Sequence, residues 1–451
     1  MKSSTADMNT LIPVRLPISD AVTLYAIQTN RFKTARLSIY TVTPAETEVS
    51  PLSTLLFGIL RRGSEKYPQL ALLNRRLDDL YGTTLTLRNF LRGDDHVLSF
   101  TAEMLEDAYA LPGDNPHILA GTMELLAELL LHPLKDPQGL LRPDIVEAEK
   151  KALCDSIRSE INDTRAYANT RLRQIMCQNE PFGLSLSGCL SQIEAVTPAD
   201  ATRVFRDRLA QAHWEIYYVG AASPQQVADT FTSAFSGFDP KPLALSPNTP
   251  HLPPEEQRCE EESFPVGQGK LCMSWSSGVT DATPIQEGRD DYAAAVVLCE
   301  LLGIMQSALL FRHVREELGL CYYCDAAFEG KKGILTVMSG IHPKHRANAE
   351  AAIQAVLENI QNGHLSDEDV ALAKISLENS YRQLPDSPAA MESYWFWSDK
   401  SKGNVAPEAH LARFLRVTPE DVVAVSRKFV QDTVYFLNAT KIGEEVDEDD
   451  G

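Results

Sequence analysis

Ala71-Leu72-Leu73-Asn74-Arg75, followed by Leu77 and Gly82, is matched 237 positions later by Ala308-Leu309-Leu310-Phe311-Arg312, Val314 and Gly319. At the same offset Gly93 meets Gly330, and Val97-Leu98 meets Ile334-Leu335. Further on, Val196-Thr197-Pro198-Ala199-Asp200 resembles Val417-Thr418-Pro419-Glu420-Asp421. Each of these leads through an amphipathic helix to a strand, at 214–219 and 433–437. Matches that recur in the same order over two halves of a chain point to a duplicated unit.

The elements around these matches alternate. Leu73, Leu77 and Leu80 share one helical face, as do Leu310, Val314 and Leu318, and a glycine follows each as a helix C-cap. Strands are predicted over 83–91 and 320–328, turns at 92–95 and 330–333, and returning strands at 96–102 and 334–339. Another strand covers 35–42, and long helices cover 117–131 and 347–361. The pattern is α+β: two homologous domains, each a mixed or antiparallel sheet with helices packed on it. Prolines at 240, 242, 247, 250, 253, 254 and 265, with Glu260-Glu261-Glu262 among them, mark an extended linker. The expected organisation is a first domain over 12–238, a linker over 239–265, a second domain over 266–442 and an acidic, disordered tail over 443–451.

Composition narrows the function. The chain has 451 residues, with 42 Lys+Arg against 62 Asp+Glu, for a formal charge of −20. Without a basic segment, this argues against nucleic acid or an anionic membrane surface as partner. No run of 18 apolar residues is present, so no membrane span is expected. The first residues lack the apolar core of a signal peptide and the Arg-rich pattern of a transit peptide. The 8 cysteines are scattered through apolar segments, which favours reduced thiols and a cytoplasmic setting.

Several stretches together resemble one family. They are the helix–Gly–strand unit, Glu180-Pro181-Phe182-Gly183 with Ser187-Gly188, the Val196–Asp200 step, Phe264-Pro265-Val266-Gly267-Gln268 opening the first strand of the second half, and Leu310-Phe311-Arg312-His313-Val314-Arg315-Glu316 followed by Gly319-Leu320-Cys321-Tyr322. The order and spacing resemble the pitrilysin/insulinase family of zinc metallopeptidases, which includes the mitochondrial processing peptidase. The resemblance implies two α+β domains closing around a chamber that takes extended peptides.

Active members of that family carry H-x-x-E-H on a helix, where two imidazoles one turn apart hold zinc and the glutamate activates water. In this chain the aligned stretch is Ser53-Thr54-Leu55-Leu56-Phe57-Gly58. Thr54 and Gly58 stand where the histidines belong and Phe57 where the base belongs. The third ligand aligns with Ser156, beside Asp155; Glu149 matches an upstream second-shell glutamate. Glu147 and Glu149 read otherwise as a solvated acidic helix face. None of the 10 histidines forms an i, i+4 pair. His342-Pro343-Lys344-His345 reads as a surface cap at a helix start. Cys321 and Cys324, three apart in a predicted strand, are expected on opposite faces, unable to share an ion or a disulfide. Asp94-Asp95-His96 is read as hairpin-turn chemistry. No metal site is expected in this chain.

The family also uses R-x-x-x-G-L-x-Y on the substrate, and Arg315-Glu316-Glu317-Leu318-Gly319-Leu320-Cys321-Tyr322 matches it in full. The resemblance implies a guanidinium on peptide carbonyls and a phenol on a developing oxyanion. From spacing alone Arg315 is a solvated helix residue and Tyr322 a half-buried strand residue; His313 and Tyr323 read as structural. A peptide-contacting pair without zinc ligands resembles the silent subunit of two-chain family members. The expectation is a non-catalytic homologue that binds extended peptide and pairs with a zinc-bearing paralogue, the zinc lying in that partner. A homodimer is the other assembly. The alternatives are a structural or chaperone-like module and an active peptidase with a relocated site.

Overall fold

The computed structural model describes residues 12–47, 49–114, 117–305, 307–398 and 405–440. The tail over 443–451 lies outside them. The chain folds into two sheets with helices packed on them, the α+β architecture expected. The first sheet contains β1 (Val14–Pro17), β2 (Val22–Gln28), β3 (Thr34–Pro44), β4 (Thr84–Arg92), β5 (Asp95–Leu105) and β6 (His213–Gly220), in the order β1-β2-β6-β3-β5-β4. The second contains β7 (Arg258–Phe264), β8 (Gly269–Ser276), β9 (Cys321–Glu329), β10 (Ile334–Ile341) and β11 (Val430–Ala439), in the order β7-β11-β8-β10-β9. Without β1 the two orders are identical. In each sheet the last strand of its half pairs parallel on one side and antiparallel on the other.

The two Thr-Pro steps explain themselves. Thr197 accepts the backbone N–H of Asp200 while the Asp200 carboxylate accepts that of Thr197; Thr418 and Asp421 do the same. Each pair satisfies amides that a helix N-terminus leaves open, and the proline at the first helical position has no amide to lose. The helices they start end just before β6 and β11.

The chain divides into two compact units. Unit 1 holds residues 1–158, 184–247 and 383–406; unit 2 holds 159–183, 248–382 and 407–451. In unit 1, Leu37, Ile39, Leu98 and Phe100 meet the helices on one face of the sheet. The opposite face, with Tyr25, Tyr40, Val42 and Tyr217, is covered by Met391, Trp395 and Phe396 of the Pro388–Trp397 helix. In unit 2 the Thr164–Met176 helix brings Ala168 and Leu172 onto Cys272, Tyr435 and Leu437. Both sheets are apolar on both faces, so each needs a second cover, and helices distant in sequence supply it.

The stretch expected as linker is better ordered than its prolines imply. Residues 241 and 243 donate backbone N–H groups to Ala210 and Gln211, at 2.6 and 2.9 Å. Residues 249–251 are fixed in unit 2, where His251 donates its N–H to the Lys332 carbonyl at 2.8 Å. Its proline-free end, Arg258–Phe264, forms β7 parallel to β11. Phe264–Gln268 therefore closes the first strand of the second half rather than opening it. A second departure concerns Leu318, expected on a buried face with Leu310 and Val314. It is 56% exposed, at the C-cap of Phe311–Glu317, which is wound with i→i+5 hydrogen bonds.

Candidate functional site

The stretch expected to align with the zinc motif lies on the Ser50–Arg61 helix, with Leu52, Leu55, Leu56, Ile59 and Leu60 buried against the sheet. Its three key positions are occupied by other interactions. Thr54 donates to the Leu186 carbonyl at 2.6 Å and accepts from the Asn89 amide at 2.6 Å. Phe57 is buried, edge-on to Phe100 with ring centroids 5.6 Å apart. A Cβ on Gly58 would lie 2.1 Å from Glu149 Oε2. The carboxylate thus fills the space a histidine side chain would enter.

Glu149 is not on a solvated face as expected. It comes from the Pro143–Ser159 helix, points at Gly58 and is held by the Arg62 guanidinium. Its side chain is 11% exposed against 52% for Arg62. A guanidinium therefore supplies the positive charge beside this carboxylate. Glu147 behaves as read from sequence, exposed and paired with Lys150 at 3.0 Å. Ser156 is exposed, and Asp155 beside it pairs with Arg158 at 3.0 Å. Thr54, Phe57, Gly58 and Ser156 offer neither two imidazoles nor a base, and the retained glutamate is already bonded. The residues present do not fit a catalytic zinc ion.

In unit 2, Arg315 and Tyr322 are both exposed, Tyr322 by 59%. The Arg315 guanidinium lies over the Phe311 ring, 4.5 Å from its centroid. Gly319 between them adopts φ +61°, which ends the helix at low steric cost. A β-bulge decides where Tyr322 goes. Tyr323 pairs with Gly340 but Cys321 pairs with Ile341, so Tyr322 is the extra residue. Strict alternation would turn Tyr322 to the face of Cys324 and Ala326, into the core. The bulge sends it to solvent, a recurring use of this irregularity.

The same bulge overturns the expectation for the cysteines. Cys321 and Cys324 lie on one buried face and hydrogen-bond to each other. That bond, with the charge of Arg315, lowers the Cys321 thiol; the Cys324 thiol is pushed up. All 8 cysteines are unbridged. His342 acts as the cap expected, its Nδ1 accepting the Lys344 N–H at 3.2 Å. His313 bonds Glu317 at 2.6 Å, and Tyr323 lies beneath the Arg165 guanidinium.

One donor set was not legible in the sequence. Cys177, Glu180 and His251 converge in unit 2, 74 residues separating the cysteine from the histidine. His251 Nδ1 lies 2.5 Å from Glu180 and 3.9 Å from the Cys177 sulfur, and Nε2 lies 2.9 Å from Asp432. Lys332 reaches Glu180 at 2.8 Å. Burial alone would lower the imidazole, but bonds to Asp432, Cys177 and Glu180 raise it to about 11. An imidazolium has no lone pair for a metal. Two cations and two carboxylates balance here, so the arrangement works as an internal ion-pair network.

Unit 1 also carries a groove of about 690 Å³ between β4 and the Pro388–Trp397 helix. Arg36, Arg88, Asn89, Glu103 and Glu392 bring polar groups to its wall. At its base Glu392 accepts from Tyr40 at 2.5 Å and from Arg36 at 3.0 Å. Beside it, β4 is an edge strand, with one side unpaired.

Residues 195–377 match the Peptidase M16 inactive domain. A Bacillus subtilis protein described as probable inactive metalloprotease YmfF is 28% identical over 423 residues, covering 93% of this chain and 96% of that protein. The fold is similar to the crystal structure of a conserved protein from Enterococcus faecalis V583, with a TM-score of 0.84 and 22% identity over 95% of this chain and 99% of that one. It is also similar to a peptidase M16 inactive domain from Pseudomonas fluorescens, with a TM-score of 0.76 and 15% identity over 95% and 98% of the two chains. With no H-x-x-E-H motif and the aligned positions filled by its own side chains, the chain is similar to proteins described as inactive members of the M16 peptidase family.

Proposed function

We propose that this chain binds extended peptide and pairs with a zinc-bearing paralogue, which contributes the metal and the base for metalloendopeptidase activity. The observation that carries this reading is the contrast between the two motifs. The zinc position is closed by Thr54, Phe57 and Gly58 with Glu149, whereas Arg315 and Tyr322 remain exposed in a complete R-x-x-x-G-L-x-Y. Two exposed side chains with a donor fork and a phenol suit peptide carbonyls and an oxyanion formed on a partner's metal. Edge strands favour the same ligand class. β4 and β9 each present a row of backbone groups to which an extended segment can add as a strand.

No helix among the described residues is long and apolar enough to cross a membrane. Together with eight unbridged thiols, this supports a cytoplasmic setting for the pair.

The test is co-purification from the native cell followed by reconstitution. A partner of similar length bearing H-x-x-E-H is expected, with chelator-sensitive cleavage of an unstructured peptide by the pair only. Arg315→Ala and Tyr322→Phe should each lower turnover at least tenfold while the complex still assembles. Full turnover in both variants would leave a scaffold role and overturn the peptide-contacting one.

A further inference from the structure

Unit 1 contains a buried, under-satisfied cation beside one acidic neighbour, Glu46. Arg208, on the Pro198–Ala210 helix, is 5% exposed, and its Nε and Nη2 have no hydrogen-bond partner among the described residues. Those two nitrogens form one edge of the guanidinium, the edge that grips a carboxylate or phosphate with two parallel bonds. Among the described residues no carboxylate lies within ion-pair distance of it: Asp207 is taken by Arg206 at 3.1 Å, and Arg203 by Asp200 at 3.9 Å. Arg208 lines a cavity of about 160 Å³ together with Thr43, Glu46 and Gln211.

Its surroundings are also unsatisfied. His96, opposite Thr43 in the β3–β5 register, is fully buried, and neither ring nitrogen has a partner among the described residues. Burial and the charge of Arg208 hold its pKa well down, so the ring is neutral with one N–H to donate. Thr41 Oγ1, on the same face of β3, is buried without a partner among the described residues. Burial lowers the Arg208 guanidinium to about 10 against the raising influence of Glu46. Leaving a buried charge and its neighbours unbonded is unfavourable unless something fills the site.

We propose that the cavity at Arg208 is a binding site for a small oxyanion, a phosphate or a carboxylate group, held side-on by the guanidinium. The cavity admits a group of that size and not a nucleotide. The site lies at the N-terminal end of the Ser50–Arg61 helix, whose N-cap Val49 lines the cavity, and is independent of the peptidase-partner reading.

Calorimetric titration of the full chain at constant ionic strength tests this in two arms, sodium phosphate and sodium acetate. Saturable one-site binding is expected in at least one arm, and the arm that responds identifies the source. Arg208→Met should weaken it at least tenfold. If that variant fails to fold, Arg208→Lys keeps the charge, loses the two-nitrogen edge and should weaken binding similarly. Glu46→Gln should strengthen it by removing a competing negative charge. Absence of saturable binding in both arms overturns the proposal, as does equal binding by Arg208→Lys. Binding that appears only after Glu46→Gln also overturns it, by making Glu46 the counterion.

Discussion

Replacing Gly58 by alanine tests whether Glu149 closes the former zinc position. In a helix interior the change is worth about 1 kcal/mol in favour of alanine, since glycine gives up more backbone freedom. Here the new methyl group would lie 2.1 Å from Glu149 Oε2 and 2.9 Å from its Cδ. Both are near the end of a flexible side chain, so the carboxylate swings away and the backbone stays in place. The displacement breaks the Arg62 pair. With 52% of Arg62 and 11% of Glu149 exposed, that pair sits near the upper end of surface ion pairs, about 1 kcal/mol. The two effects cancel, and Gly58→Ala alone should change stability by less than about 0.5 kcal/mol. In a Glu149→Ala background nothing blocks the methyl, and the same substitution should stabilise by about 1 kcal/mol. The coupling between the two positions is therefore about 1 kcal/mol. Urea unfolding of the four proteins of the cycle measures it. Of 4 tryptophans, Trp214, Trp395 and Trp397 lie in unit 1, so fluorescence reports mainly on the unit carrying the mutations. Additivity within about 0.3 kcal/mol would refute the reasoning, because it would mean the carboxylate does not occupy the space over Gly58.

Two further outcomes follow from buried charges. Glu392→Ala removes the shared partner of Tyr40 and Arg36 beneath the Pro388–Trp397 helix, and should destabilise unit 1 by about 3 kcal/mol in urea unfolding; a loss below about 1 kcal/mol would show that Glu103 alone satisfies Arg36. His251 gains its proton on folding, since its folded pKa of about 11 exceeds the unfolded value near 6.5. Its contribution is complete below the unfolded pKa and is lost as pH rises toward 11. The stability difference between wild type and His251→Gln should thus shrink by up to about 1.4 kcal/mol per pH unit between pH 7 and 9. A flat difference would mean a neutral ring with a free lone pair, and would reopen Cys177, Glu180 and His251 as metal donors.

The sequence by itself determined the α+β class and the absence of the zinc motif. These are local properties. Periodicity, capping chemistry such as Thr197–Asp200 and Thr418–Asp421, and the identities at 54, 57 and 58 need no knowledge of distant contacts. Tertiary structure decided the rest. Glu149 looked like a solvated helix residue until the position of the neighbouring helix placed it over Gly58. Tyr322 and the cysteine pair changed faces because one bulged residue in β9 reverses the alternation, and a bulge carries no mark in the sequence at that point. The covers of the two sheets, the His251 network and the cavity at Arg208 depend on residues dozens to hundreds of positions apart. Their meeting follows from burying both apolar faces of each sheet, a requirement no single segment expresses.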